Sequence, residues 1–272
     1  MNPASSARLV ALRLDDVGAS SKRYEVYSNR TWQAGPLRVS GNWLFLKYLP
    51  GVKQWGPYRE LRADEWHQVF EMLRRASARM TVAVTASWAV RADRLIPFPE
   101  RFPAQAEALR DGVREGLIEV ANHGLTHCVL EGNRFRPHWM SSNRAYHREF
   151  LDWVPLGVHD DHLRRSQDIL QHYFQVPVVT FVPPGNVYTR DTLLLAERYG
   201  LRYVSCDATP GDVGRMRVLG NDRTIPFHDR DLVVNGMDWL RRLLARDDGA
   251  RYCSVADLAT GGATSAPVPH QS

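Results

Sequence analysis

Apolar and polar positions change period several times along this chain. Residues 8–14, "RLVALRL", read as a short buried strand. In 64–76 the apolar residues fall at 66, 69, 70 and 73, which predicts an amphipathic helix with Asp64 as its N-cap. "MTVAVTASWAV" (80–90) is rich in β-branched residues and reads as a strand. The same reasoning predicts helices over 103–115, 160–173, 189–199 and 236–246, and strands over 116–124, 176–182, 201–207 and 224–229. Strands alternating with helices over the whole length predict a parallel α/β architecture, open or barrel-shaped. Residues 19–60 break the rhythm. They are rich in Gly, Ser, Pro and aromatics, too long for a simple connection, and are expected to form an excursion with its own structure. With no repeat and no linker, 1–259 is expected to be one catalytic domain, followed by a disordered tail over 260–272.

Composition narrows the classes. The chain has 272 residues, 44% hydrophobic and 24% charged, with a net charge of +5, which is ordinary for a soluble globular protein. Only Lys22, Lys47 and Lys53 are lysines, so arginine carries nearly all the positive charge, and no basic run marks a nucleic-acid arm. Acidic or phosphorylated ligands are compatible with this balance; nucleic acid is not expected. No window has the length and apolarity of a transmembrane segment, and the N-terminus lacks the apolar region of a signal peptide. Cys128, Cys206 and Cys253 are widely spaced and odd in number, suggesting neither a disulfide framework nor a zinc knuckle. A cytoplasmic location is expected.

Functional groups in parallel α/β folds collect beyond the C-terminal ends of the strands. Chain order alone then puts Asp15 and Asp16, His123 and His127, the Pro183-Pro184-Gly185 turn, Asp207 and His228 on one face. Two imidazoles four apart, as in "HGLTH", can chelate one metal, although the spacing alone is a weak signal. The adjacent aspartates strengthen it. A carboxylate with two imidazoles suits Zn²⁺ and leaves a position open, and a bound divalent cation offsets the repulsion between Asp15 and Asp16. One aspartate can bind metal while the other takes a proton, and His228 can protonate a leaving group. The same triad would equally serve a non-haem iron oxygenase.

"HDDH" (159–162) reads first as a helix start capped by Asp160 or Asp161, and second as another metal cluster. Glu149 in "REF" is expected either at the site or in solvent. The aromatic excursion offers core material or sugar-stacking surfaces. Pro184, Asp207 and Trp55 are the expected substrate contacts. Cys128 and Cys206 fall near the site in sequence, but buried thiols are ordinarily inert.

The order "LDD … NHGLTH … TFVPPGN … GLRYVSCD … IPFHD" resembles the polysaccharide deacetylase superfamily, the NodB-type carbohydrate esterases. The likeness runs from about residue 8 to 232, with 19–60 and part of 128–158 as additions. It implies a distorted (β/α) barrel with fewer than eight strands. It further implies Asp15 as catalytic base, Asp16, His123 and His127 as ligands of a divalent metal, most simply zinc, and His228 as general acid. The reaction implied is removal of an acetyl group from an N-acetylated sugar, an amidohydrolase acting on a linear C–N bond. Its substrate would be a sugar nucleotide, a lipid-linked saccharide or a polysaccharide.

Two positions depart from the family pattern. Val182 stands where a third-motif arginine would orient the base, and Val17 interrupts the usual Asp-Asp-Gly run. With "NHGLTH" and "REF", these features look more like a divergent branch linked to surface-polysaccharide biosynthesis, O-antigen assembly among them. The missing arginine leaves two expectations: another arginine takes over, or Asp15 is tuned differently. It also supports a metal- and sugar-binding pseudoenzyme as the alternative to a hydrolase.

Overall fold

The first strand organises the molecule. β1, Arg8–Val17, is buried from Val10 onward on both faces, as a central strand of a parallel sheet must be. The computed structural model describes residues 8–43, 45–136, 146–207, 211–246 and 249–261. After β1 come the hairpin β2 (Thr31–Ala34) and β3 (Leu37–Ser40), then helix α1 (Ala63–Arg75) and β4 (Met80–Val84). A second hairpin, β5 (Ser87–Arg91) and β6 (Arg94–Pro97), precedes α2 (Phe98–Arg101), α3 (Pro103–Arg114) and β7 (Ile118–Asn122). Then follow α4 (Leu156–Phe174), β8 (Thr180–Phe181), α5 (Arg190–Arg198), β9 (Tyr203–Ser205), β10 (Arg217–Leu219) and β11 (Thr224–His228). Helices α6 (Asp229–Asn235) and α7 (Asp238–Leu244), strand β12 (Ala250–Cys253) and α8 (Val255–Ala259) complete the chain.

Seven strands lie abreast in the order β10-β9-β8-β7-β4-β1-β11, all parallel. β12 shares one edge of β1 with β11: β12 pairs with residues 8–11 and β11 with residues 11–15. Among the described residues β10 and β11 do not pair with each other, so the barrel stays open. The sheet is nonetheless curled. Arg13 on β1 donates through Nη1 to Ser205 Oγ on β9 at 2.9 Å, across three intervening strands. This is the distorted barrel with fewer than eight strands abreast that the motif order implied.

Several local expectations change. The predicted strand 80–90 is two strands, because Ala86 and Ser87 bond to Gly124 and Leu125 and lead the chain out of the sheet. Helix α1 starts at Ala63, with Arg62 as its N-cap; Glu65 accepts from the Arg62 amide, and Asp64 pairs with the Arg62 guanidinium instead of capping. Helix α4 starts at Leu156 after Pro155, so Asp160 and Asp161 lie inside it and cannot cap it. Asp160 instead accepts from Tyr199 and Asp161 from Arg164 and Arg165. The predicted helix 236–246 begins only at Asp238, because Gly236, at φ 77°, ends α6. The pattern also does not close there, since β12 and α8 follow. Of the expected tail, residues 262–272 lie outside the described residues.

Candidate metal centre and active site

Adjacent residues of a regular strand point to opposite faces, yet Asp15 and Asp16 line the same cavity. The backbone explains this. Asp16 has φ 71°, a left-handed conformation that aspartate tolerates better than most residues, and the β1–β4 register shifts between Leu14 and Val17.

Asp16 meets the two histidines of "HGLTH". Its Oδ1 lies 3.3 Å from His123 Nε2 and 3.1 Å from His127 Nε2. His123 Nδ1 is 2.6 Å from the carbonyl oxygen of Val182, which can only accept, so Nδ1 carries the proton and Nε2 turns a lone pair toward Asp16. His127 Nε2 is buried without a hydrogen-bond partner, while its Nδ1 lies 3.4 Å from Ser21 Oγ. The His123 lone pair and the unpartnered His127 Nε2, both facing one carboxylate oxygen, call for a cation between them. Ligand atoms around tetrahedral zinc, at about 2.0–2.1 Å from the ion, would be separated by about 3.3 Å, close to the spacings seen here. The donor set therefore fits a divalent metal. Burial alone would raise the Asp16 pKa, but the nearby His228 charge holds it well below the usual carboxylate range.

The loop that presents His127 is built around one buried carboxylate. Glu149 accepts from the amides of Leu125, Thr126 and His127 at 3.0, 3.1 and 2.9 Å, and from His162 Nδ1 at 2.5 Å. Burial opposes the Glu149 charge; His162 and the amides outweigh it and hold its pKa down. Gly124 is required here, since a Cβ would lie 2.2 Å from Glu149 Oε2 and the residue has φ 78°. Glu149 and His162 are thus neither solvated nor a second metal cluster. They anchor the loop that carries His127.

Asp15 is held differently. Arg13, two residues earlier on the same face of β1, donates to it through Nε at 3.0 Å and Nη2 at 2.9 Å. Both residues are buried. Val182 therefore leaves no vacancy: an arginine from β1 orients Asp15, and the Val182 backbone orients His123. His228 is the register partner of Asp15 across β1 and β11, and its Nε2 is 3.9 Å from Asp16 Oδ2. Burial opposes its charge, but Asp16, Asp231 and Asp15 push its pKa up to about 9.

The cavity encloses about 490 Å³. Trp55 and Asp207 line it. Trp55 stacks on Tyr27 at 5.5 Å and carries the Arg230 guanidinium 4.0 Å from its ring centre. Asp207 accepts from Asn186 at 2.7 Å and from Asn221. Pro184 does not line the cavity. It is buried behind Gly124, and Pro183, Gly185 and Asn186 reach the wall instead.

The excursion contributes more than Trp55. Tyr58 donates to Asp16 Oδ2 at 3.5 Å, and Lys22 is buried between Glu60, at 2.8 Å, and Asp229, tying both ends of the excursion to the residue after His228. Burial pushes the Cys128 thiol up to about 12, in keeping with an inert role. Arg13 and Tyr58 were missed by sequence reasoning. A charged residue inside the apolar run "LVALRL" was the available signal for the first; nothing local marked the second.

A family model described as polysaccharide deacetylase matches residues 56–204, more than half of the 272 residues. No curated protein matches. Among solved structures the chain is similar to a CE4 family pseudoenzyme from Bacillus anthracis, with 12% identity and TM-score 0.47 over 73% of this chain and 61% of that one. It is also similar to a family 4 carbohydrate esterase from Streptomyces lividans in complex with acetate (16%, TM-score 0.46, 91% and 93% covered). A third is the BpsB deacetylase domain from Bordetella bronchiseptica (15%, TM-score 0.44, 84% and 99% covered). The chain spans about three-fifths of the length of the first solved structures it matches. On the family match over more than half of its length, the chain belongs to the polysaccharide deacetylase family.

Proposed function

We propose that this protein is a metal-dependent hydrolase that removes the acetyl group from an N-acetylated sugar used in surface-polysaccharide biosynthesis. The observation that carries the reading is the buried convergence of Asp16, His123 and His127 beside an independently clamped Asp15. A divalent cation, with zinc the natural candidate, would polarise the amide carbonyl and acidify water when bound. Asp16, His123 and His127 would hold it. Asp15 takes the proton of the attacking water, with Arg13 fixing its carboxylate. The C–O bond forms, the amide C–N bond breaks, and His228 gives a proton to the departing amine, so that acetate and a free amino sugar result. Tyr27, Trp55 and Asp207 supply a stacking face and a hydrogen-bond acceptor suited to a sugar ring.

The binding-only alternative drew its support from Val182. The Arg13–Asp15 pair supplies the function of the missing arginine and favours turnover. The buried cysteines, none of them disulfide-bonded, support action in the reducing cytoplasm on a sugar nucleotide or lipid-linked saccharide.

The test couples metal analysis to acetate release over N-acetyl sugars, their nucleotides and lipid-linked forms. Asp16→Ala and His123→Ala are expected to lose both metal and acetate release; full metal occupancy in either would sink the ligand assignment. Asp15→Asn is expected to keep its metal and lose about 10²–10⁴ in kcat. Sugar binding without acetate release by the metal-loaded protein would replace the hydrolase with the relic.

A further inference from the structure

The excursion exposes side chains, on both sides of its β2–β3 ribbon, that the chemistry above does not use. Residues 26–59 contain no aspartate or glutamate, but five basic residues: Arg30, Arg38, Lys47, Lys53 and Arg59. Arg30, Arg38 and Lys53 are exposed and form no ion pair among the described residues. Exposed arginines elsewhere commonly do pair, as Arg74 with Glu115 and Arg215 with Glu197. The same stretch concentrates exposed apolar side chains. Of the ten large hydrophobic residues exposed among the described residues, six fall within 32–49: Trp32, Leu37, Trp43, Phe45, Tyr48 and Leu49. Leu37 and Trp43 are 68% and 61% exposed. Among the described residues the hairpin β2–β3 pairs with no other strand, and a two-stranded ribbon alone is marginally stable in water.

We infer that this exposed segment docks the protein onto a bilayer surface bearing anionic headgroups. Aromatic and leucine side chains with unpaired cations and no acids make up the chemistry of an interfacial anchor. Charge separates this partner from the others. Two copies meeting through this segment would bring like charge against like charge, so it is not a self-interface. An acidic polysaccharide would satisfy the cations but leave Leu37, Phe45 and Leu49 in water, whereas an acyl boundary takes both. The segment also supplies Tyr27, Lys47 and Trp55 to the cavity wall, so docking through it sets the cavity beside the membrane.

The test uses the full-length protein and sugar-free vesicles, so its result does not depend on the deacetylase reading. Cosedimentation is measured with pure phosphatidylcholine and with vesicles containing about 30% phosphatidylglycerol, at low salt and at about 1 M salt, where screening leaves a range of only ~3 Å. Binding is expected to the anionic vesicles and at least about tenfold less to the neutral ones. It should weaken in high salt and fall at least about tenfold in both Arg38→Glu/Lys53→Glu and Leu37→Ser/Trp43→Ser, with melting and metal content unchanged. If a double variant loses its melting transition, the single Trp43→Ser and Lys53→Glu variants carry the comparison. No binding to anionic vesicles overturns the inference. So does full binding by Leu37→Ser/Trp43→Ser, which would mark simple adsorption of a basic protein. A concentration-dependent dimer dissolved by that variant, with no vesicle binding, would assign the segment to a second copy.

Discussion

The Asp15–Asp16 site and the exposed segment of residues 26–59 treat charge in opposite ways. At the centre, Glu149 is enclosed by three amides and His162, Arg13 grips Asp15, and Lys22 is buried between two carboxylates. In the outer segment Arg30, Arg38 and Lys53 stand in solvent, and the same stretch of chain exposes Trp32, Trp43, Phe45 and Tyr48. Burial explains the first arrangement, since a charge removed from water must be paired and hydrogen-bonded or it unfolds its surroundings. That pairing also fixes the position of Asp15 and of the loop carrying His127, as the proposed hydrolysis requires. The second arrangement costs the free protein little because water solvates the charges, and it leaves them available to an outside partner.

Three substitutions sharpen that contrast, from the largest expected effect to the smallest. Arg13→Gln leaves a buried carboxylate without its cation and is expected to cost about 3–5 kcal/mol, measured by denaturant unfolding. In whatever fraction folds, kcat should fall about 10²-fold while metal content stays constant, because Asp15 loses its orientation. An unchanged kcat would mean that Asp15 is positioned by something else. Glu149→Gln replaces the acceptor of three amides with a weaker one, and metal affinity is expected to drop about 10- to 100-fold in competition with a chelator. Leu37→Ser, in the exposed segment, should shift stability by no more than about 0.5 kcal/mol and leave metal affinity alone. A large destabilisation there would show that the excursion is core material after all.

The aromatic excursion divides along the same line. Tyr27, Trp55 and Tyr58 turn inward to the cavity or to Asp16, while Trp32, Trp43, Phe45 and Tyr48 do not bury. Sequence composition set packing against sugar stacking as the two readings. It could not separate inward from outward residues, because the segment has no regular period from which a face can be read.

Much of the site was legible in the chain. The hydrophobic pattern is local: an apolar run must bury itself as a strand, and an apolar stripe every three to four residues must bury itself as a helix. Order along the chain then placed Asp15, Asp16, His123, His127 and His228 at strand ends, where a parallel sheet exposes its functional groups. What the pattern could not supply were contacts between segments. Arg13 reaches Asp15 within one strand, but its remaining donor finds Ser205 only because the curl of the sheet brings opposite walls together. Asp16 shares a cavity with Asp15 only because its backbone turns left-handed against β4. "REF" and "HDDH" found their purpose only when Glu149 and His162 met beneath the ligand loop. A buried charge is satisfied by whatever the fold brings within about 3 Å, and that distance belongs to tertiary structure, not to sequence spacing.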